Sequence, residues 1–242
     1  MTVFALAARS WAGGYIVPIT TGTVTATAQA AQGRVKIDIS WASSQYLNVY
    51  RIQDGVATPV RGAFPSPDPA TVQTVYDYEA PLDVAVSYKV TTPWLAFAAL
   101  FSSSVTLVSS GLSWLTHPTS VQLAMNPLVA EQPEREHSLD QAVLTPIGRR
   151  YPVVISAAVR QAPSQDLILY TKTLTERTQL LALVQSGSPL LLRTPASYGW
   201  DPLTWLSVGN VVERPVRWLA NEPARVWSLA TQQVDAPAVS GG

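Results

Sequence analysis

Between residues 22 and 110, apolar and polar positions alternate in short runs, each closed by turn residues. "GTVTATAQ" (22–29) sets Val and Ala against Thr, the period-two pattern of a strand with one buried face. "GRVKIDISW" (33–41) places Val35, Ile37, Ile39 and Trp41 on one side and Arg34, Lys36, Asp38 and Ser40 on the other. "YLNVYRIQDG" (46–55) predicts a third strand that ends in the hairpin pair Asp54-Gly55, and "VATPVRG" is the return strand. The alternating prolines of "FPSPDPA" (64–70) cannot donate to a ladder and read as rigid coil. "TVQTVYDY" (71–78), "VAVSYKVTT" (84–92) and "SSVTLVSS" (103–110) then follow. About seven short strands over roughly ninety residues predict a β-sandwich.

Beyond residue 111 the pattern changes. "SWLTHPTSVQLAMNP" (113–127) reads as a linker with strand-like pieces, and "EQPEREH" (131–137), the one dense charge run, as a solvated loop. "YPVVISAAV" and "DLILYTKT" read as strands joined through "RQAPSQ" as a hairpin loop. A helix is predicted near 174–186. Thr173 and Glu176 have capping-box spacing, so their side chains satisfy free N–H groups at its start. Leu180, Leu183 and Val184 make one apolar stripe with Leu181 beside it, Gly187 supplies a left-handed stop, and Pro189 blocks continuation. "LLLR" (190–193) reads as a buried strand, and "WLSVGNVVERPVRW" and "ARVWSLATQQVDAP" as two more. The pattern predicts a small β domain with one helix laid against it.

Composition changes this picture in one respect. Charged residues are only 13% of the chain, about half of the ~25% usual in a soluble domain, and 16 basic residues balance 16 acidic ones. Self-repulsion therefore gives little protection from association. Either the surface is polar but neutral, through Thr and Ser, or neighbouring subunits cover much of it. There is no basic excess for nucleic acid, Arg149 and Arg150 being the only adjacent basic pair. The longest apolar stretch, "PWLAFAALF" (93–101), is far short of the roughly 18 residues that cross a bilayer. "MTVFALAARSWAGG" lacks the basic n-region and long apolar run of a secretory signal. The expectation is a soluble protein not exported by the usual route.

Candidate chemistry is sparse. No cysteine is present, and His117 and His137, the only imidazoles, lack the ligand spacing of a zinc site, so both read as surface or linker histidines. There is no G-x-S-x-G elbow, no phosphate-binding glycine loop and no calcium-loop pattern. The expectation is no enzyme, no cofactor and no metal. Eight tryptophans are the stronger signal, with Trp200, Trp205, Trp218 and Trp227 near the C-terminal end. Trp in strands usually packs cores and interfaces, but "YGWDP" (198–202) is a candidate aromatic loop. Trp200 and Trp205 are therefore candidate glycan contacts. Trp94, Phe97 and Phe101 in the apolar stretch are candidate interface residues, together with 190–192.

Two resemblances add to these patterns. Residues 20–110 resemble a fibronectin type III or similar immunoglobulin-like module, with Trp41 at the end of its second strand and Tyr88 in "YDYEAPLDVAVSYKV"; "PWLAFAALF" departs from that plan. Residues 112–237 resemble minor tail proteins of long-tailed phages that infect actinobacteria. The shared plan is Gly148-Arg149, an apolar strand over 152–159, "LILYTKTLTE" (167–176), the Leu-rich helix, "SGSPLLLRTP" (186–195) and "VGNVVE" (208–213). "SWLTHP" before it and "RVWSL" and "VDAP" after it also fit. The order strand, strand, helix, strand is similar to the ring-forming domain of distal tail and tail-tube proteins.

The resemblance implies a mainly β protein with an arm (1–19), a sandwich (20–110), a ring-type β domain with one helix (111–237) and a loose tail (238–242). The arm would dock on a neighbour or supply a strand to the second domain. It also implies a structural role at the virion tail tip, made in the host cytoplasm, as a homo-oligomeric ring with tail-tube and tail-hub partners. Distal tail proteins begin with the ring domain, whereas here the sandwich comes first. The alternative is a carbohydrate-binding module that attaches the tail to the host cell wall.

Overall fold

The computed structural model describes residues 22–41, 47–62, 72–91, 99–120, 123–130, 134–137, 141–145, 147, 151, 153–156, 162–217 and 221–238. The protein is mainly β, and its described residues form antiparallel sheets and one α-helix. The expected arm, the Pro-rich loop 64–70 and the tail beyond 238 lie outside the described residues.

The first half forms β1 (Gly22–Gln29), β2 (Arg34–Trp41), β3 (Asn48–Gln53), β4 (Val56–Pro59), β5 (Gln73–Asp77), β6 (Ala85–Thr91), β7 (Ala99–Phe101) and β8 (Val105–Thr106). They build a three-stranded sheet in the order β1-β2-β5 and a five-stranded sheet in the order β4-β3-β6-β7, with β8 also on β6. The alternation read in "GRVKIDISW" holds: Val35, Ile37 and Ile39 are fully buried while Lys36 and Asp38 form an ion pair on the outer face. Asp54 and Gly55 both take positive φ (49° and 79°), as a two-residue turn between right-twisted strands requires.

The final strand is broken rather than continuous. Ser102 donates its N–H to the Tyr88 carbonyl and accepts the Tyr88 N–H on its hydroxyl, so a side chain replaces one rung between β7 and β8. The predicted apolar stretch thus ends as an edge strand, with Phe101 59% exposed.

The second half forms β9 (Trp114–Thr116), β10 (Ala124–Met125), β11 (Leu128–Val129), β12 (Arg135–Glu136), β13 (Gln141–Leu144), β14 (Val153–Ser156), β15 (Ser164–Thr171), α1 (Leu174–Gln185), β16 (Leu190–Arg193), β17 (Leu203–Pro215) and β18 (Arg225–Gln233). Its main sheet has eight strands in the order β10-β9-β16-β17-β18-β15-β11, with β12 beside β11 on β15. One face carries the core: Leu115 from β9, Leu167 and Leu169 from β15, Leu190 and Leu192 from β16, Leu206 from β17, and Trp227 and Leu229 from β18. Helix α1 closes that face with Leu180 and Leu183, both fully buried.

The helix ends follow the sequence signals. Thr173 Oγ1 accepts the Glu176 N–H at 3.2 Å, and the Glu176 carboxylate accepts the Lys172 N–H at 2.6 Å. Gly187 stops the helix at φ 67°.

Three expectations are corrected. The segment 113–127 is not a linker: β9 is an inner strand of the main sheet, because Trp114 and Leu115 point to opposite faces and both are buried. Among the described residues β14 does not pair with β15. It pairs with β13 as a separate ribbon, while β15 takes β18 over eight residue pairs that bring Leu167 and Leu169 opposite Leu229 and Trp227. "EQPEREH" is only partly loop, since Arg135–Glu136 adds a short strand to β15.

Candidate functional site

The face of the main sheet opposite α1 divides into a covered half and an open half. Over β9, β16 and the start of β17 the sandwich domain lies against it, which is why all of "LLLR" is buried. Leu190 and Leu192 enter the α1 core, whereas Leu191 and Arg193 point to the sandwich.

Arg193 is the centre of this junction. It is fully buried and donates to the Ala80 carbonyl at 3.0 Å and the Gly33 carbonyl at 2.6 Å, both on the sandwich. Its guanidinium lies 6.0 Å from the Trp114 ring, and Trp114 itself packs into the sandwich core. No carboxylate touches it among the described hydrogen bonds, and Nε is buried without a partner, so burial lowers its pKa to about 10. The strongest balancing charge is Asp77, held by Arg51 at 2.9 Å and by the Tyr88 hydroxyl at 3.0 Å. Burial, then Asp77, keeps Tyr88 protonated far above the ordinary tyrosine range.

The junction has a second tie. Arg61 pairs with Glu79, donates to the Pro237 and Ala238 carbonyls at 2.9 and 3.0 Å, and lies 5.4 Å from the Trp205 ring. Ala238, expected in a loose tail, is therefore anchored. Gly33 is required where it stands: φ is 59°, and an added Cβ would come within 2.4 Å of the Trp114 ring.

The open half spans β15, β18 and the far part of β17. There Asp166 and Ile168, Ser228, Ala230 and Gln232, and Ser207 and Val212 point away from the α1 core, and none is buried. With β12 as one wall, this face forms a broad depression of about 1110 Å³ with Glu134, Glu136 and Asp166 at its side. From Ser207 onward β17 pairs only with β18 among the described residues, leaving a free strand edge. Arg177 at 2.6 Å and Arg225 at 3.0 Å clamp Glu213, fixing the first turn of α1 to the β17–β18 hairpin.

The sequence-predicted site residues scatter over this frame. Trp205 lies at the junction, half-buried under Arg61. Trp200 packs on the α1 core, edge-on to Tyr198 (5.7 Å, 80°), with Arg135 5.8 Å from its ring. Trp227 is core and donates to Thr171. Trp94, Phe97 and Trp218 lie outside the described residues. Residues 190–192 are interior, so they offer no surface to another copy.

His117 is buried rather than superficial. Its Nδ1 accepts the N–H groups of Thr119 and Ser120, and burial lowers its pKa. Sequence reasoning passed over Arg193. The available signal was a single cation closing an all-apolar strand, since a charge buried on both sides must find partners.

Among the described residues no cluster of three or more His, Asp or Glu side chains is placed to hold a metal ion, and no helix is long and apolar enough to cross a membrane. The chain matches no protein-family model and no curated protein.

Proposed function

We propose that the protein is a structural component of a phage tail tip, whose copies associate to form or join the distal tail assembly. The observation that carries this reading is the half-covered sheet. Helix and sandwich together shield one face and half of the other, while the remaining half and the free edge of β17 stay open. A sheet with an exposed edge is a template for pairing, and soluble monomers ordinarily block such edges.

The resemblance of residues 112–237 to minor tail proteins supports the same reading, and so does the low charge of the chain. We read the first domain as fibronectin type III-like. Its fourth strand joins β3, β6 and β7 instead of lying with β1, β2 and β5, unlike a constant-type immunoglobulin domain. The sandwich fixed by Arg193 is then a rigid appendage of each subunit. No catalytic step belongs to this role.

The test is the mass of the purified protein in solution by light scattering. Multimers at micromolar concentration support assembly, and a monomer at every concentration removes it. Adhesion to cell-wall glycan is the second reading, motivated by Trp200, whose ring lies 5.8 Å from the guanidinium of Arg135, itself a residue of the depression. Binding to host-wall fragments that Trp200→Ala abolishes would favour it.

A further inference from the structure

The exposed apolar side chains are not scattered evenly. Val143, Leu144, Val154 and Ile155 are 58%, 51%, 55% and 57% exposed, and all belong to the β13–β14 ribbon; Ile147, between the two strands, is fully exposed. Val143 stands opposite Val154, while Leu144 and Ile155 belong to the other face, so both faces of the ribbon are apolar. The two strands, Gln141–Leu144 and Val153–Ser156, carry no charged side chain, and Arg149 and Arg150 lie between them in sequence. A lone two-stranded hairpin is at best marginally stable in water, because it has no third element to cover its side chains.

Five such side chains offer several hundred Å² of apolar surface. Summed over both faces of the ribbon, this is comparable with the roughly 300–600 Å² of the largest patch on a typical monomer, and is a large part of the ~800 Å² each partner contributes to a stable interface.

The same chain carries a surface that fits the ribbon. Beyond Ser207 one edge of β17 has no strand partner among the described residues, and Val212 and Val216 beside it are 45% and 44% exposed. The ribbon strands bring no ion of their own to be desolvated against this edge, where Arg214, between Val212 and Val216, is exposed. Copies of net charge zero do not repel one another as they approach.

We propose that the β13–β14 ribbon of one copy docks along the free edge of β17 of a second copy of this chain. Strand pairing supplies the hydrogen bonds, and Leu144 and Ile155, on one face of the ribbon, cover Val212 and Val216. The contact is head-to-tail, since ribbon and edge are different surfaces, and repetition gives a ring or a filament rather than a two-fold dimer. This inference rests on the association of copies proposed above, and specifies where it occurs.

The chain has no cysteine, so crosslinks can be placed at will. Full-length Ile155→Cys and Val212→Cys proteins are mixed, oxidised mildly and run without reductant. The expected result is a disulfide dimer in the mixture, in excess of either variant alone, and a ladder of multimers from the chain carrying both substitutions. Val154→Glu with Ile155→Glu, both on the exposed ribbon, is expected to keep the wild-type circular dichroism and weaken association at least tenfold. Multimers that persist unchanged in the Glu variant, a dominant 155–155 crosslink, or a 155–212 crosslink within one chain would overturn the ribbon contact and leave the assembly reading standing. A wild-type monomer at all concentrations would overturn both.

Discussion

At the residue scale, one arginine ties the two domains together. Arg193 serves two carbonyls from a fully buried position, so Arg193→Ala leaves Gly33 and Ala80 oxygens unpaired beside a cavity. The expected loss is about 3 kcal/mol or more, read from the urea midpoint. Arg193→Lys is expected to recover only part of it, because an ammonium lacks the planar fork that reaches two diverging acceptors. Gly33→Ala tests the other side of the same contact. With φ at 59° and the Trp114 ring in the way, it is expected to cost about 1–3 kcal/mol, and Trp114→Leu in the same chain should relieve part of that. The neighbours of Arg193 were out of reach of the sequence, since Gly33 and Ala80 are brought to it only by docking of the domains.

At the scale of elements, the helix was the most legible part. Thr173, Glu176, Leu180, Leu183 and Gly187 act locally, so spacing alone places them. Thr173→Ala is expected to cost about 1 kcal/mol and Thr173→Ser much less, both measured by chemical denaturation. Strands were legible as alternation but not as pairings. β14 and β15 are neighbours in sequence and not in the sheet, because pairing depends on which distant strand matches the inward face. Likewise β9 looked like a linker because only three residues form it, and its burial comes from elements on both sides.

The clamp on Glu213 gives this scale a pH test. Its hydrogen bond from Arg177, with Arg225 adding to it, holds the Glu213 pKa below the ordinary 4.5. A carboxylate with a depressed folded pKa adds stability above its unfolded value, and that stability fades as pH falls through the folded value. Glu213→Gln should therefore be less stable than wild type near neutrality, and the difference should shrink below about pH 4.5. A difference that grows on acidification would contradict the clamp.

At the scale of the whole molecule, the two domains share buried residues. Trp114 rises from the second sheet into the sandwich core, Arg193 crosses the same boundary, and Arg61 reaches back to Pro237. Thermal unfolding of the wild type is expected to be one cooperative calorimetric transition, and Arg193→Ala should broaden or split it. Two separated transitions in the wild type would mean that the junction couples the domains weakly. The alternation of the first domain and the capped helix of the second told of two β domains. The seam between them was hidden in "SWLT" and "LLLR", whose burial on both faces makes sense only with both domains in place.

The central claim is that the uncovered half of the second sheet and the free edge of β17 exist to receive other copies. Light scattering on a sizing column, with negative-stain images of the peak, tests it most directly. The account predicts closed multimers or short filaments of uniform repeat at micromolar concentration. A monodisperse monomer across the whole concentration range would contradict it.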